Sequence, residues 1–116
     1  MRRKLSLHKE IAVPDRIGVI EAMLRKDPDD VFLHYSLGME HVSRRQFPQA
    51  AVAFRKCVEL DADYLPAHVE LGKCLRSAGE LAAAREAFIA AAALAERKGE
   101  THTRTYILQQ LEGLPQ

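Results

Sequence analysis

The sequence predicts an all-α fold built as a stack of antiparallel helix–turn–helix hairpins. Three observations predict it. The chain matches itself at an offset of 34 residues: Leu37-Gly38 falls on Leu71-Gly72, Ala50 on Ala84, Phe54 on Phe88 and His34 on His68. Each unit is split by a turn signal, Arg45-Gln46-Phe47-Pro48 in the first and Ser77-Ala78-Gly79-Glu80 in the second. Between the turns, apolar residues recur at helical spacing. A unit of two amphipathic helices cannot bury its own apolar face, so neighbouring units must stack to make a core.

Taken in chain order, residues 1–13 form a basic arm carrying Arg2, Arg3, Lys4 and Lys9. Its Leu5, Leu7 and Ile11 either pack on the first helix or stay loose; the pattern leaves both open. A single domain then runs over 14–112. Its first part, 14–30, is a half unit with one helix over 14–26, because Arg16, Ile20 and Leu24 lie 34 residues before Ala50, Phe54 and Val58. Pro14 can open that helix, and Asp27-Pro28 closes it, since a residue before proline is driven out of the helical region. The first full repeat, 31–64, has helices over about 31–44 and 48–60, with Pro48 suited to a first helical position. The second, 65–98, has helices over about 66–78 and 81–97, and Gly79 can end a helix in the left-handed region. The stretch 82–95 holds nine alanines, which favour helix and let it lie close to its neighbours. After Gly99, a capping helix over 101–112 shows Ile107, Leu108 and Leu111 as an apolar stripe, and 113–116 is a tail.

These residues resemble the tetratricopeptide repeat, a 34-residue helix–turn–helix with a large residue, Leu-Gly, an aromatic, Ala, an aromatic, Ala and Pro at set positions. Unit one offers His34, Leu37-Gly38, His41, Ala50, Phe54, Cys57 and Ala62. Unit two offers His68, Leu71-Gly72, Leu75, Ala84, Phe88, Ala91 and Glu96. Histidine in the large-residue slot and the missing closing prolines at Ala62 and Glu96 depart from the pattern. The match covers roughly 14–112, with Leu37, Gly38, Ala50, Phe54, Leu71, Gly72, Ala84 and Phe88 as its defining packing residues.

The resemblance implies a right-handed superhelical α-α solenoid whose first helices line a concave groove. It implies a non-catalytic interaction module, an adaptor or scaffold, that binds a peptide or partner protein there. By register, the groove contacts are Phe32, Tyr35, Met39 and Val42 from unit one, Val69, Lys73 and Arg76 from unit two, and Arg104 from the last helix. One end is then apolar and aromatic and the other basic, suited to hydrophobic anchors with an acidic end. The family's site for a C-terminal carboxylate is not reproduced, since Lys73 and Glu70 stand where asparagines are expected. The alternative is a self-associating structural subunit, a homodimer through the open ends of the array, with Leu108, Leu111 and Leu114 available.

Composition sets the outer bounds. The chain has 116 residues, 47% hydrophobic and 28% charged, with a formal net charge of +1. Those values fit a folded domain and give no general attraction to nucleic acid or a membrane surface. The basic start lacks the apolar core of an export signal, so the expected location is cytoplasmic. His34, His68 and His102 share the 34-residue register, yet no cysteine or acidic residue completes a metal shell, and they read as packing residues. Cys57 and Cys74 sit at apolar positions and form no CxxC. No phosphate loop, calcium loop or nucleophile–base pair is present. No enzyme activity, metal or cofactor is expected.

Overall fold

The computed structural model describes residues 15–115, and the basic arm 1–13, with Pro14, lies outside them. Six α-helices follow one another: α1 (Arg16–Lys26), α2 (Val31–Ser43), α3 (Phe47–Leu60), α4 (Leu65–Ser77), α5 (Leu81–Lys98) and α6 (Thr101–Gly113). Each packs on the next, so α2–α3 and α4–α5 are the two full hairpins, with α1 before them and α6 after.

Local chemistry fixes the helix ends. Asp30 accepts hydrogen bonds from the backbone N–H groups of Phe32 and Leu33 at 2.9 and 3.1 Å, which satisfies two of the unpaired donors that open α2. Asp15 does the same more weakly for α1, accepting from Ile17 at 3.3 Å. Its carboxylate also takes a 2.7 Å bond from Arg44, and that contact holds its pKa below the ordinary aspartate value. Pro48 and Pro66 both sit one residue inside the start of their helices, where no intrahelical N–H bond is lost. Three helices end in one device. The N–H groups of Gln46, Glu80 and Glu100 reach back to the carbonyls of His41, Leu75 and Ala95 at 2.9 Å each. The residue before each donor is left-handed: Arg45 at φ 57°, Gly79 at 84° and Gly99 at 70°. Arg45 adopts that conformation without glycine's freedom and lays its guanidinium 5.4 Å from the centre of the Phe47 ring.

The repeat's fixed sizes are explained by one contact made twice. A Cβ built on Gly38 would meet the Phe54 ring at 2.6 Å, and one built on Gly72 would meet the Phe88 ring at 2.6 Å. Both rings are fully buried. Glycine is required because the phenylalanine ring of the second helix packs directly against the backbone of the first, in the space a Cβ would take. Ala50, Ala84, Cys57 and Ala91 complete the buried seam, with Leu71, Leu75, Leu65 and Leu94 between units. Leu37 is half-buried.

The two ends of the array differ from the middle. No residue of α1 is fully buried, and Val19 and Met23 remain 46% and 49% exposed. The counterparts of these residues in α3, Ala53 and Cys57, are buried against the rest of their hairpin. At the other end, α5 has 18 residues against 14 in α3. This extra turn displaces α6, so Ile107 and Leu111 turn inward 36 residues after Leu71 and Leu75, not 34. The histidine register fails for the same reason. His34 and His68 each bond the carbonyl six residues earlier, Pro28 at 2.7 Å and Ala62 at 2.8 Å. His102 has no such place in the stack and is exposed. The stretch expected as a tail is tied down: Leu114 is buried, and the carbonyl of Pro115 accepts from Arg85 at 2.8 Å. Of the three leucines available for an end contact, only Leu108 is well exposed; Leu111 is half-buried and Leu114 points into the core.

Candidate functional site

The first helices α2, α4 and α6 line one side of the stack, and an aromatic cluster runs along it. Tyr64, the residue that precedes α4, sits between two side chains of α2. The Phe32 ring meets it edge-on at 5.8 Å and the Tyr35 ring at 5.5 Å. Tyr35 also packs edge-on against the buried Phe54 ring at 5.4 Å, which anchors the cluster to the core. Such pairs stabilise by about 0.5–1.5 kcal/mol beyond area burial. Burial raises the Tyr35 phenol's pKa, with the Glu70 carboxylate adding to the effect; burial likewise raises that of Tyr64. Both are neutral hydroxyls near pH 7.

Two hollows flank this cluster. One, of about 600 Å³, lies between α4 and α6, with Tyr64, Pro66, Val69 and Tyr106 as its walls and Asp63, Glu70, Lys98, Glu100 and His102 around it. The other, of about 580 Å³, lies between α1 and α2, lined by Val19, Ile20, Met23, Tyr35 and Met39, with Arg16 and Glu40 at its edge. Arg16 and Glu40 form a 3.0 Å ion pair. Tyr35 belongs to one hollow and Tyr64 to the other, and their rings touch, so the two form one apolar and aromatic track.

The structure places the sequence-derived groove residues unevenly. Phe32 is 68% exposed, and it joins Tyr35 and, through Tyr64, Val69 on the track. Met39 lies in the α1–α2 hollow. Val42 is half-buried and packs on the core cluster. The three cations are engaged within the chain. Lys73 pairs with Glu70 at 3.3 Å. Arg76 donates to Gln110 and lies 5.9 Å over the Phe88 ring. Arg104 pairs with Glu96 of α5 at 2.6 Å and lines neither hollow. Each of the three cations that the sequence sets at a basic end thus has a partner within the chain.

Tyr64 and Tyr106 line the α4–α6 hollow, and Val19, Ile20 and Met23 the α1–α2 hollow, although the repeat register selects none of them. Tyr64 falls just before a helix, outside the register used to choose contacts. Tyr106 reaches the hollow because α6 is displaced, which the length of the alanine-rich run hints at but does not fix.

Chemistry on the site's own groups is slight. Burial pushes both thiols, Cys57 and Cys74, up to about 11, which suppresses the nucleophilic thiolate. Among the described residues, no group of three or more His, Cys, Asp or Glu side chains is placed to hold a metal ion. No helix among them is long and apolar enough to cross a membrane.

This stacked hairpin with a grooved face defines a class, the tetratricopeptide-repeat solenoids, and the chain belongs to that family. It is 35% identical over 81 residues to a TPR repeat-containing protein of Pseudomonas aeruginosa, a match covering 70% of this chain and 77% of that one. No protein-family model matches the chain. Among solved structures, a Bordetella parapertussis protein superposes with a TM-score of 0.74 at 28% identity, covering 86% of this chain and 87% of its own. The TPR2B domain of yeast Sti1, solved in complex with pHsp70, superposes with a TM-score of 0.77 at 19% identity, covering 85% of this chain and 79% of its own. A tetratricopeptide repeat domain protein of Salinibacter ruber matches at 0.65 and 24% identity, covering 72% and 85%. The chain is thus a tetratricopeptide-repeat protein by family and by fold.

Proposed function

We propose that the protein is a cytoplasmic, non-catalytic adaptor that takes a segment of a partner protein along the track formed by α2, α4 and α6. The observation that carries this reading is the open aromatic run Phe32–Tyr64–Tyr35, joined to an apolar hollow on each side. Aromatic residues give large contact area at a small cost in side-chain freedom, and they dominate binding energy where a partner excludes water from them. Phe32 contributes an exposed ring already in edge contact with Tyr64, which lowers the ordering needed on binding. The Sti1 domain with the same fold was solved with a bound partner, which supports the coarser idea of partner binding.

The test compares wild type with Phe32→Ala and Val69→Glu, and with Val52→Ala as a control on an exposed residue of α3. Partners recovered from cells of origin are quantified by mass spectrometry, with helicity checked by circular dichroism. At least a tenfold loss of a partner with the two groove variants, and none with the control, is expected. Equal recovery by all four proteins at equal helicity would overturn the groove reading.

A second reading rests on Val19 and Met23 of α1, walls of the α1–α2 hollow that remain about half exposed. Self-association through that end would make the protein a structural subunit. Sedimentation velocity over a hundredfold range of concentration tests it: a mass that rises, and that Met23→Lys returns to a monomer's, supports it, and a constant monomer mass contradicts it.

A further inference from the structure

We infer that the segment taken by the α4–α6 hollow is cationic and apolar, an arginine or lysine next to an aliphatic or aromatic residue. The inference rests on the groove reading above and gives the partner a sign of charge. It is the opposite sign to the acidic end that the positions of Lys73, Arg76 and Arg104 suggest in sequence.

Two features of the hollow argue for it. Its walls include the rings of Tyr64 and Tyr106, the latter 38% exposed, and aromatic faces attract cations through their quadrupole. Around these walls stand three carboxylates, Asp63, Glu70 and Glu100, against one lysine, Lys98, and His102. The Lys98 ammonium donates to the backbone carbonyl of Asp63 at 3.2 Å and keeps its charge, so the lining carries three carboxylates against one ammonium. Glu70 is held by Lys73, and Asp63 has Arg97 only at 3.9 Å. Glu100 forms no ion pair among the described residues. An acidic segment would meet three carboxylates against the one ammonium of Lys98, and breaking the Lys73–Glu70 contact to free a second cation would leave a carboxylate unpaired. A basic segment keeps every existing pair. Its aliphatic stem can lie along Val69 and Pro66 while its charged end reaches the rings and Glu100, the way long cationic side chains divide themselves between apolar and polar surroundings.

The experiment uses the full chain and a randomised library of decapeptides, N-acetylated and C-amidated so that terminal charges play no part. Selection is followed by affinity measurement on the best sequences. The expected result is enrichment of arginine or lysine beside leucine, tyrosine or phenylalanine. Affinity for the enriched peptides should fall about tenfold with Glu100→Lys and severalfold with Glu100→Gln, and should weaken with added salt. The uncharged analogue of each peptide should not distinguish wild type from either variant. Because Glu100 is exposed and makes no side-chain cap bond to α6, both variants are expected to fold, and circular dichroism checks that. Enrichment of acidic or purely apolar peptides that Val69→Glu still abolishes would overturn the cationic assignment and leave the groove in place. Failure of any peptide to bind would remove the groove reading, and this inference with it.

Discussion

Replacing Gly72 by alanine tests the packing on which the whole stack depends. The new Cβ would lie 2.6, 2.7 and 2.9 Å from three carbons of the Phe88 ring, well inside any van der Waals contact. The ring cannot swing away, because it is fully enclosed by the two helices of its hairpin and by the next unit. Overfilling a tight core costs about 1–3 kcal/mol. Against this, alanine in place of a mid-helix glycine contributes about 0.5–1 kcal/mol through reduced freedom of the unfolded chain. The net expectation is a loss of about 1 kcal/mol, within a span of about 0–2.5 kcal/mol, despite a change that isolated-helix preferences would score as favourable. Urea unfolding followed by circular dichroism reads it as a lower midpoint at unchanged slope. Gly18→Ala is the control: its nearest new contact is Asp15 Oδ2 at 3.7 Å, so that variant should gain about 0.5 kcal/mol from the same helix preference. Combining Gly72→Ala with Phe88→Leu should recover part of the loss, because the two residues share one contact. Gly72→Ala as stable as wild type, or a loss unaffected by shrinking Phe88, would refute the argument that ring contact imposes the glycine.

Two further outcomes follow from the same structure. Cys57 and Cys74 have folded-state pKa values raised from 9.0 to about 11, and burial also raises those of Tyr35 and Tyr64. Groups raised in the fold contribute stability that is complete below their unfolded pKa and lost as pH climbs through the folded one. The melting temperature should therefore be level from pH 7 to 9 and fall between 9 and 11, while iodoacetamide labels the native thiols far more slowly than the urea-unfolded ones; a level melting temperature up to pH 11 would contradict this. The second concerns the C-terminus. Leu114→Ala should cost about 2 kcal/mol in urea unfolding, and an unchanged midpoint would show that Leu114 is not part of the core.

Much of the fold is legible in the sequence because a few contacts demand fixed sizes. Gly38 and Phe54, or Gly72 and Phe88, are sixteen residues apart in each unit and touch across the hairpin, so their repetition at 34 residues reports the geometry directly. The alternation of helix and turn is equally plain, since Gly79, Gly99 and the two prolines mark ends for stated steric reasons. The site is less legible. Phe32, Tyr35 and Val69 are positions that the repeat register assigns to the proposed track. Which cations remain free does not follow from register, because Arg76 meets Gln110 and Arg104 meets Glu96 across helices whose relative placement depends on one added turn in α5. That same turn moves His102 out of the histidine series and brings Tyr106 to the hollow. The half exposure of Val19 and Met23 is a property of packing, and their spacing alone looks like that of any core helix.

The central claim is that partners are held on the aromatic track and not on the outer helices. Photocrosslinking tests it most directly, with benzoylphenylalanine placed singly at Phe32, Tyr106, Val52 and Ile89 in the cells of origin. All four positions are exposed, the first two on the track and the last two on α3 and α5. The account predicts adducts with another protein from Phe32 and Tyr106 and few or none from Val52 and Ile89. Adducts formed mainly from Val52 and Ile89, or only adducts of the protein with itself, would contradict it.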